Sequence, residues 1–183
     1  MSLTKNQPRE SPTTRRKAPK AHQFTAVGLL LAMLVSLLAH EHVRRVEARI
    51  AGWAIETFMD VGTYMEPYGT YLTIGAGTQH IFTLDVTFAC SVVLLTAPLL
   101  LVAALLLFSG RGSLSLTIPA ALVGVAILVA INTLRIMLIA ALTRENNLDG
   151  FALAHTVYGS LLVLIGLAFV QVLFVKTVIK KRR

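Results

Sequence analysis

The chain has 183 residues, enough for one compact unit and short for two domains. A hydrophobic fraction of 55% and a mean hydropathy of +0.71 are too apolar for an ordinary water-soluble domain. A single cysteine, Cys90, excludes an intrachain disulfide, a paired-thiol redox site and any centre built from several thiolates.

The formal net charge of +8 raises the question of nucleic acid, but the bases sit at the two ends of an apolar chain. There is no zinc-finger spacing, recognition-helix pattern or aromatic-basic platform, so nucleic acid is not an expected partner. Terminal charge of this kind reads as topology signal and contact with the lipid bilayer. Three stretches follow: a basic tail over 1–22, a membrane domain over 23–175 and a second basic tail over 176–183.

Residues 24–39 form the first apolar run and predict an uncleaved membrane helix, since no small-residue cleavage site follows it. Residues 41–60 mix charges with Val43, Val46, Ile50, Trp53, Ala54 and Phe58 at helical spacing. That pattern predicts an amphipathic helix at the outer membrane surface rather than a second span. Two β-prone pieces, 71–74 and 81–86, flank the glycine-bearing turn at 75–77 and predict a short β-hairpin. The uncharged run 86–108 predicts the second span, with Pro98 inside it. The breaker-rich link at 109–113 returns the chain into a third span over 119–142, which carries Asn132 and Arg135. A loop at 144–150 leads to the fourth span, 151–175. The expected fold class is therefore an all-α integral membrane bundle of about four transmembrane helices, with an outer amphipathic helix and a short β-hairpin.

Four spans put both termini on one side. With cytoplasmic termini, twelve of the seventeen Lys and Arg residues lie inside: six in the first tail, Arg111, and five in the last tail. Four lie outside, which favours that orientation and a plasma-membrane location with the polar residues of the spans facing outward.

This orientation brings three side chains to one level. Cys90 and His155 fall roughly 6 Å inside the outer ends of spans two and four, and Arg135 roughly 10 Å inside span three. Taken alone, each has a plain explanation. Cys90 is a small buried hydrophobe, Arg135 snorkels to the interface, and His155 bonds within the bundle. Matched depth on three span ends favours a shared site. A thiolate is a nucleophile that a histidine helps to form, and a guanidinium stabilises either that thiolate or an oxyanion. His155 deprotonates the thiol or protonates a leaving amine; the sequence does not separate the two roles. Asn132 and Ser91 are candidate supporting residues. His80 and Asp85 read as hairpin solubility, and Tyr158 and Gly159 as span packing. His40 and His42 make a weak metal signal.

The AlaCysSer at 89–91, the AsnThrLeuArg at 132–135 and His155 at the start of the final helix resemble the exosortase/archaeosortase family of membrane thiol transpeptidases. The resemblance covers roughly residues 43–175. Val92 stands where the family's cysteine motif commonly has glycine, and the bundle is shorter than many relatives. The resemblance implies Cys90 as nucleophile with Arg135 and His155 as its catalytic partners, and no cofactor. It also implies membrane-tethered protein substrates with carboxy-terminal sorting tails: a short motif, an apolar helix and a basic end. An acceptor nucleophile of unidentified kind completes transfer, or water completes proteolysis, and an accessory membrane subunit is a further expected partner. The competing expectation is a noncatalytic membrane assembly or transporter accessory protein, for which Arg135 is a structural or ligand contact.

Overall fold

A computed structural model describes residues 20–78 and 80–179, apart from the side chains of Asn146 and Asn147. Most of both basic tails, residues 1–19 and 180–183, lies outside the described residues. Helix α1 (Lys20–Leu38) is followed by α2 (His40–Met59) and three short strands, β1 (Thr63–Met65), β2 (Tyr71–Ile74) and β3 (Phe82–Asp85). A 3₁₀ turn, Phe88–Cys90, leads into α3 (Val92–Phe108). Helical structure then runs through α4 (Leu114–Leu153), a π-helical segment Ala154–Tyr158 and α5 (Gly159–Val178).

The chain nevertheless reverses within that last helical run. Gly166 lies against Ile131, Gly124 against Val170 and Gly159 against Arg135, so the two arms are antiparallel. The apolar stretches Leu114–Glu145 and Leu148–Val178 are each long enough to cross a membrane, as is Lys20–Leu38. The expected open loop at 144–150 is thus a tight reversal that keeps helical hydrogen bonding. The remaining expected span, α3, is shorter, with 17 residues or about 25 Å of helix. The protein is a predominantly helical, multi-pass membrane bundle with a minor β element.

Contacts sort the bundle into two ends. Ala26 of α1 packs with Ala104 and Leu107 near the end of α3. Gly112 bridges Ile179, and the Ser113 N–H donates to Val178 O at 3.2 Å. Lys20 and Ile179 therefore share the end of the bundle opposite the sheet. At the other end, α2 and the sheet enclose a core of Ala48, Ala51, Ile55, Leu72, Ile74 and Leu84. Ile136, Ile139 and Ala140 of α4, with Ala154, complete it.

The expected hairpin is present as β2 and β3, paired antiparallel from Tyr71↔Asp85 to Ile74↔Phe82. Its turn uses Gly75 and Gly77 at φ of 86° and 82°, a region that favours glycine. A third strand beyond the expected hairpin, β1, pairs with β2 and makes a three-stranded sheet of order β1-β2-β3. Glu56 of α2 fixes β1 by accepting from the Thr63 N–H at 3.0 Å and from its hydroxyl at 2.8 Å. Those two bonds hold the Glu56 carboxyl below the ordinary glutamate range.

Helix α2 lies where the periodicity put it, but it buries a different face. Val46, Trp53 and Phe58 point outward. The buried face is Glu47, Ala48, Ala51, Gly52, Ala54 and Ile55. Small side chains let helix backbones come close, and dispersion at that distance drives packing where lipid is as apolar as leucine. The large apolar residues are left for the membrane.

The same constraint governs the α4–α5 hairpin. A Cβ on Gly166 would lie 2.6 Å from Ile131 Cδ1 and 3.0 Å from its Cγ2. Replacing Gly166 with Leu is expected to pry the arms apart and cost about 1–3 kcal/mol. A lower thermal midpoint of the detergent-solubilised variant, read by helical circular dichroism, checks this; an unchanged midpoint contradicts the close approach.

Candidate functional site

Cys90 ends the turn between β3 and α3, and its position follows from how α3 begins. Ser91 is the N-cap, with extended backbone at φ −84°, ψ 143°, and its side chain accepts from the Val93 N–H at 3.3 Å. The chain before Ser91 is held in a 3₁₀ turn, where the Cys90 N–H donates to Thr87 O at 3.0 Å. Cys90 is therefore not inside a span, as the continuous apolar run had suggested, but immediately before it. A residue there has its backbone fixed by the cap while its side chain is free of the helix's own packing.

Upstream, Arg44 of α2 anchors the sheet's exit. Its Nε donates to Val86 O, and its terminal nitrogen reaches Thr70 Oγ1 at 3.1 Å and Asp85 Oδ1 at 3.2 Å. Thr70 Oγ also donates to Asp85 at 2.8 Å. Asp85, expected only to solubilise the hairpin, is thus part of a clamp on the strand that feeds Cys90. His40 packs edge-on against Phe88 in the same turn, with ring centroids 5.1 Å apart.

His155 arrives from the opposite direction, on the π-helical segment. Its Nε2 lies 3.1 Å from Cys90 Sγ, across 65 residues of sequence. The ring stacks on Phe151, one turn earlier, at a centroid distance of 5.4 Å. A π turn shifts the residues after it around the helix axis, and such turns often occur at functional sites. Gly159, directly after the segment, makes room for Arg135: a Cβ there would lie 3.1 Å from both Cγ and Nε of that arginine.

Arg135 is 7% exposed, which removes the snorkelling explanation. Among the described residues it has no carboxylate within salt-bridge distance, and its Nε is buried without a hydrogen-bond partner. It is close enough to His155 to act on that ring electrostatically. Among the described residues no group of three His, Cys, Asp or Glu side chains is placed to hold a metal ion, and His40 and His42 form no such group.

Asn132 and Ser91, the two candidate supporting residues, meet at a third group, Glu47, which is not among the expected site residues. Glu47 of α2 is buried, 5% exposed, and accepts three hydrogen bonds. The Ser91 hydroxyl donates to Oε2 at 2.6 Å; the Val92 N–H and Asn132 Nδ2 each donate to Oε1 at 2.7 Å. Asn132 Nδ2 also donates to Cys90 O at 2.8 Å. Both neighbours are acceptors, so the amide must present its NH₂ to them. Burial pushes the Glu47 carboxyl above the ordinary glutamate range, while the Ser91, Val92 and Asn132 donors and the Arg44 charge pull it back. The sequence did carry a signal for Glu47. It lies on the helical face of Ala48, Ala51 and Ile55, where a carboxylate is out of place unless something meets it.

Replacing Asn132 with Leu would leave Cys90 O without its donor and Glu47 with two donors instead of three. A loss of about 2–4 kcal/mol is expected, visible as a lower thermal midpoint than that of Leu134→Ala on the exposed face of α4. Equal midpoints would contradict the buried network.

No curated protein and no solved structure matches the chain. A family described as transmembrane exosortase (Exosortase_EpsH) matches residues 15–172, nearly the whole chain and every residue of the network around Cys90. On that match, the chain belongs to the transmembrane exosortase family.

Proposed function

We propose that the protein is a membrane cysteine transpeptidase that processes proteins bearing a carboxy-terminal sorting signal, and a protease where water is the acceptor. The observation that carries this reading is the 3.1 Å approach of His155 Nε2 to Cys90 Sγ, made by elements far apart in sequence. That distance permits proton transfer from thiol to imidazole. The thiolate then attacks the scissile carbonyl carbon, forming a C–S bond as the carbonyl electron pair moves to oxygen. Arg135, a buried cation with no carboxylate partner among the described residues, suits the stabilisation of that oxygen. Collapse breaks the C–N bond, and His155 returns its proton to the leaving amine. The resulting thioester is opened by an external amine, which gives a proton to His155 as it forms a new amide and the C–S bond breaks to release the thiolate. No cofactor is needed for either half.

Orientation is part of the proposal. Both termini face the cytoplasm across the plasma membrane, and Cys90 faces outward. The distribution of basic residues supports it, as does the sharing of one bundle end by Lys20 and Ile179.

Cells co-expressing a protein with a short motif, an apolar helix and a basic end test the chemistry. Cys90→Ala is expected to abolish processing at normal abundance. His155→Ala should slow it by about 10²–10⁴-fold and Arg135→Ala by about 10²–10³-fold. Normal processing by Cys90→Ala would sink the enzyme reading and favour an accessory protein of the membrane. Orientation is read in a Cys90→Ala background carrying single new cysteines. Residue 68 should react with an impermeant maleimide on intact cells, and residue 111 only after permeabilisation; the reverse pattern rejects the topology.

A further inference from the structure

Glu47 is the buried carboxylate of the described residues, and nothing in the reaction sequence above uses it. We infer that Glu47 is a positioning residue for the Cys90 thiol, tying α2, the start of α3 and the middle of α4 into one frame that holds the Cys90 turn against His155. The inference rests on the thiol–imidazole reading of the site.

The geometry restricts the backbone on both sides of the sulfur. Before it, the Cys90 N–H is bonded within its turn to Thr87 O. After it, the Ser91 hydroxyl and the Val92 N–H both end on Glu47. The Cys90 carbonyl itself is held by Asn132, whose amide is oriented by the same carboxylate. His155 belongs to the π-helical segment after α4, so its distance from Sγ depends on how α3 sits on α4. Glu47 is where those two helices are bonded to a common group. A displacement of about 1 Å at a reacting pair can cost about 10²-fold in rate.

Charge alone does not explain the residue. Cys90 precedes the N-terminus of α3, where the helix dipole favours a thiolate. An anion at the same terminus opposes that effect, so a purely electrostatic Glu47 would work against the nucleophile. Its shape is what helps. A glutamine there keeps the reach, accepts from Val92 and Asn132 through its oxygen, and donates to a reversed Ser91 hydroxyl. An aspartate keeps the charge and loses the reach.

Because Cys90 is the sole cysteine, alkylation of the full chain in detergent by iodoacetamide reports on it alone. The measured quantity is the slowing caused by His155→Ala at neutral pH, determined in the wild-type, Glu47→Gln, Glu47→Asp and Glu47→Ala backgrounds. This cycle cancels any direct effect of the Glu47 charge or of altered access. A slowing of about 10-fold or more is expected in the wild-type and Gln backgrounds, falling below about 3-fold in the Asp and Ala backgrounds. Should Glu47→Ala fail to fold, Gln against Asp still decides. Equal slowing in the Asp and wild-type backgrounds, at equal helix content, would overturn the positioning role. So would its loss in Gln, which would assign the effect to charge. If His155→Ala leaves the wild-type rate unchanged, the thiol–imidazole reading falls first.

Discussion

A carboxylate removed from water loses several kcal/mol of solvation, and only close, well-aligned donors offset that loss. Glu47 has three, each worth about 1.5–3 kcal/mol when the acceptor is ionised. The sums are comparable, so the group is tolerated rather than strongly stabilising. The consequence is geometric. Its donors come from the cap of α3, the first amide of α3 and the middle of α4. None of these can shift much without stranding a buried charge. The turn that carries Cys90 and the seat of Asn132 both depend on that one side chain of α2.

Around it, the helices approach through small residues and turn their large apolar side chains outward. Ala48, Ala51 and Gly52 form the inner face of α2, Ala26 the buried point of α1, and Gly124 and Gly166 the seam of the α4–α5 hairpin. In lipid this is the economical arrangement, because leucine gains little by leaving hydrocarbon for a protein core. The sheet is the exception. It buries Leu72, Ile74 and Leu84 against α2 and α4 as a water-soluble sheet would. It thereby fixes the entry of β3, from which Cys90 is only a few residues away.

Much of this was legible in the sequence because period and punctuation are strong local signals. The hairpin at 71–85, the helix near 40–59 and the shared level of Cys90 and His155 follow from alternation, helical spacing and matched depth, whereas the helix rotations that bring Sγ to the imidazole do not. What was not legible depends on what faces what. Periodicity located the stripe of Val46, Trp53 and Phe58, but a helix beside lipid has two apolar faces, and only packing shows which is buried. Glu47 looked like one charge among several on a surface helix. Ser91 was visible as a polar residue in an apolar run, yet its role as N-cap, which ejects Cys90 from α3, depends on backbone angles that hydropathy does not record. The reversal near residue 147 was legible as the polar stretch at 144–150; that it keeps helical hydrogen bonding was not. The matched depth of Cys90 and His155 holds because the turn before α3 and the segment after α4 lie at the same end of the bundle.

The two buried charges meet opposite conditions, and the contrast bears on chemistry. Glu47 has donors on both oxygens and little capacity to respond to a new charge nearby. Arg135 is almost as buried, yet its Nε is unbonded and no carboxylate neutralises it among the described residues. A structural arginine in a membrane helix would be expected to acquire such a partner, since an unpaired cation in low dielectric is costly. In the proposed reaction the partner would be negative charge that appears transiently. A tetrahedral oxyanion is such a charge, and a preorganised cation stabilises it without first reorganising solvent. At Gly159 a Cβ would meet first the Ala154 carbonyl of the π turn at 2.7 Å and then Arg135 Cγ and Nε at 3.1 Å, so a larger residue would disturb both the turn and the arginine. In the proposed reaction, the saturated carboxylate would hold the backbone of Cys90 still, and the unsaturated guanidinium beside the histidine would meet the charge that develops.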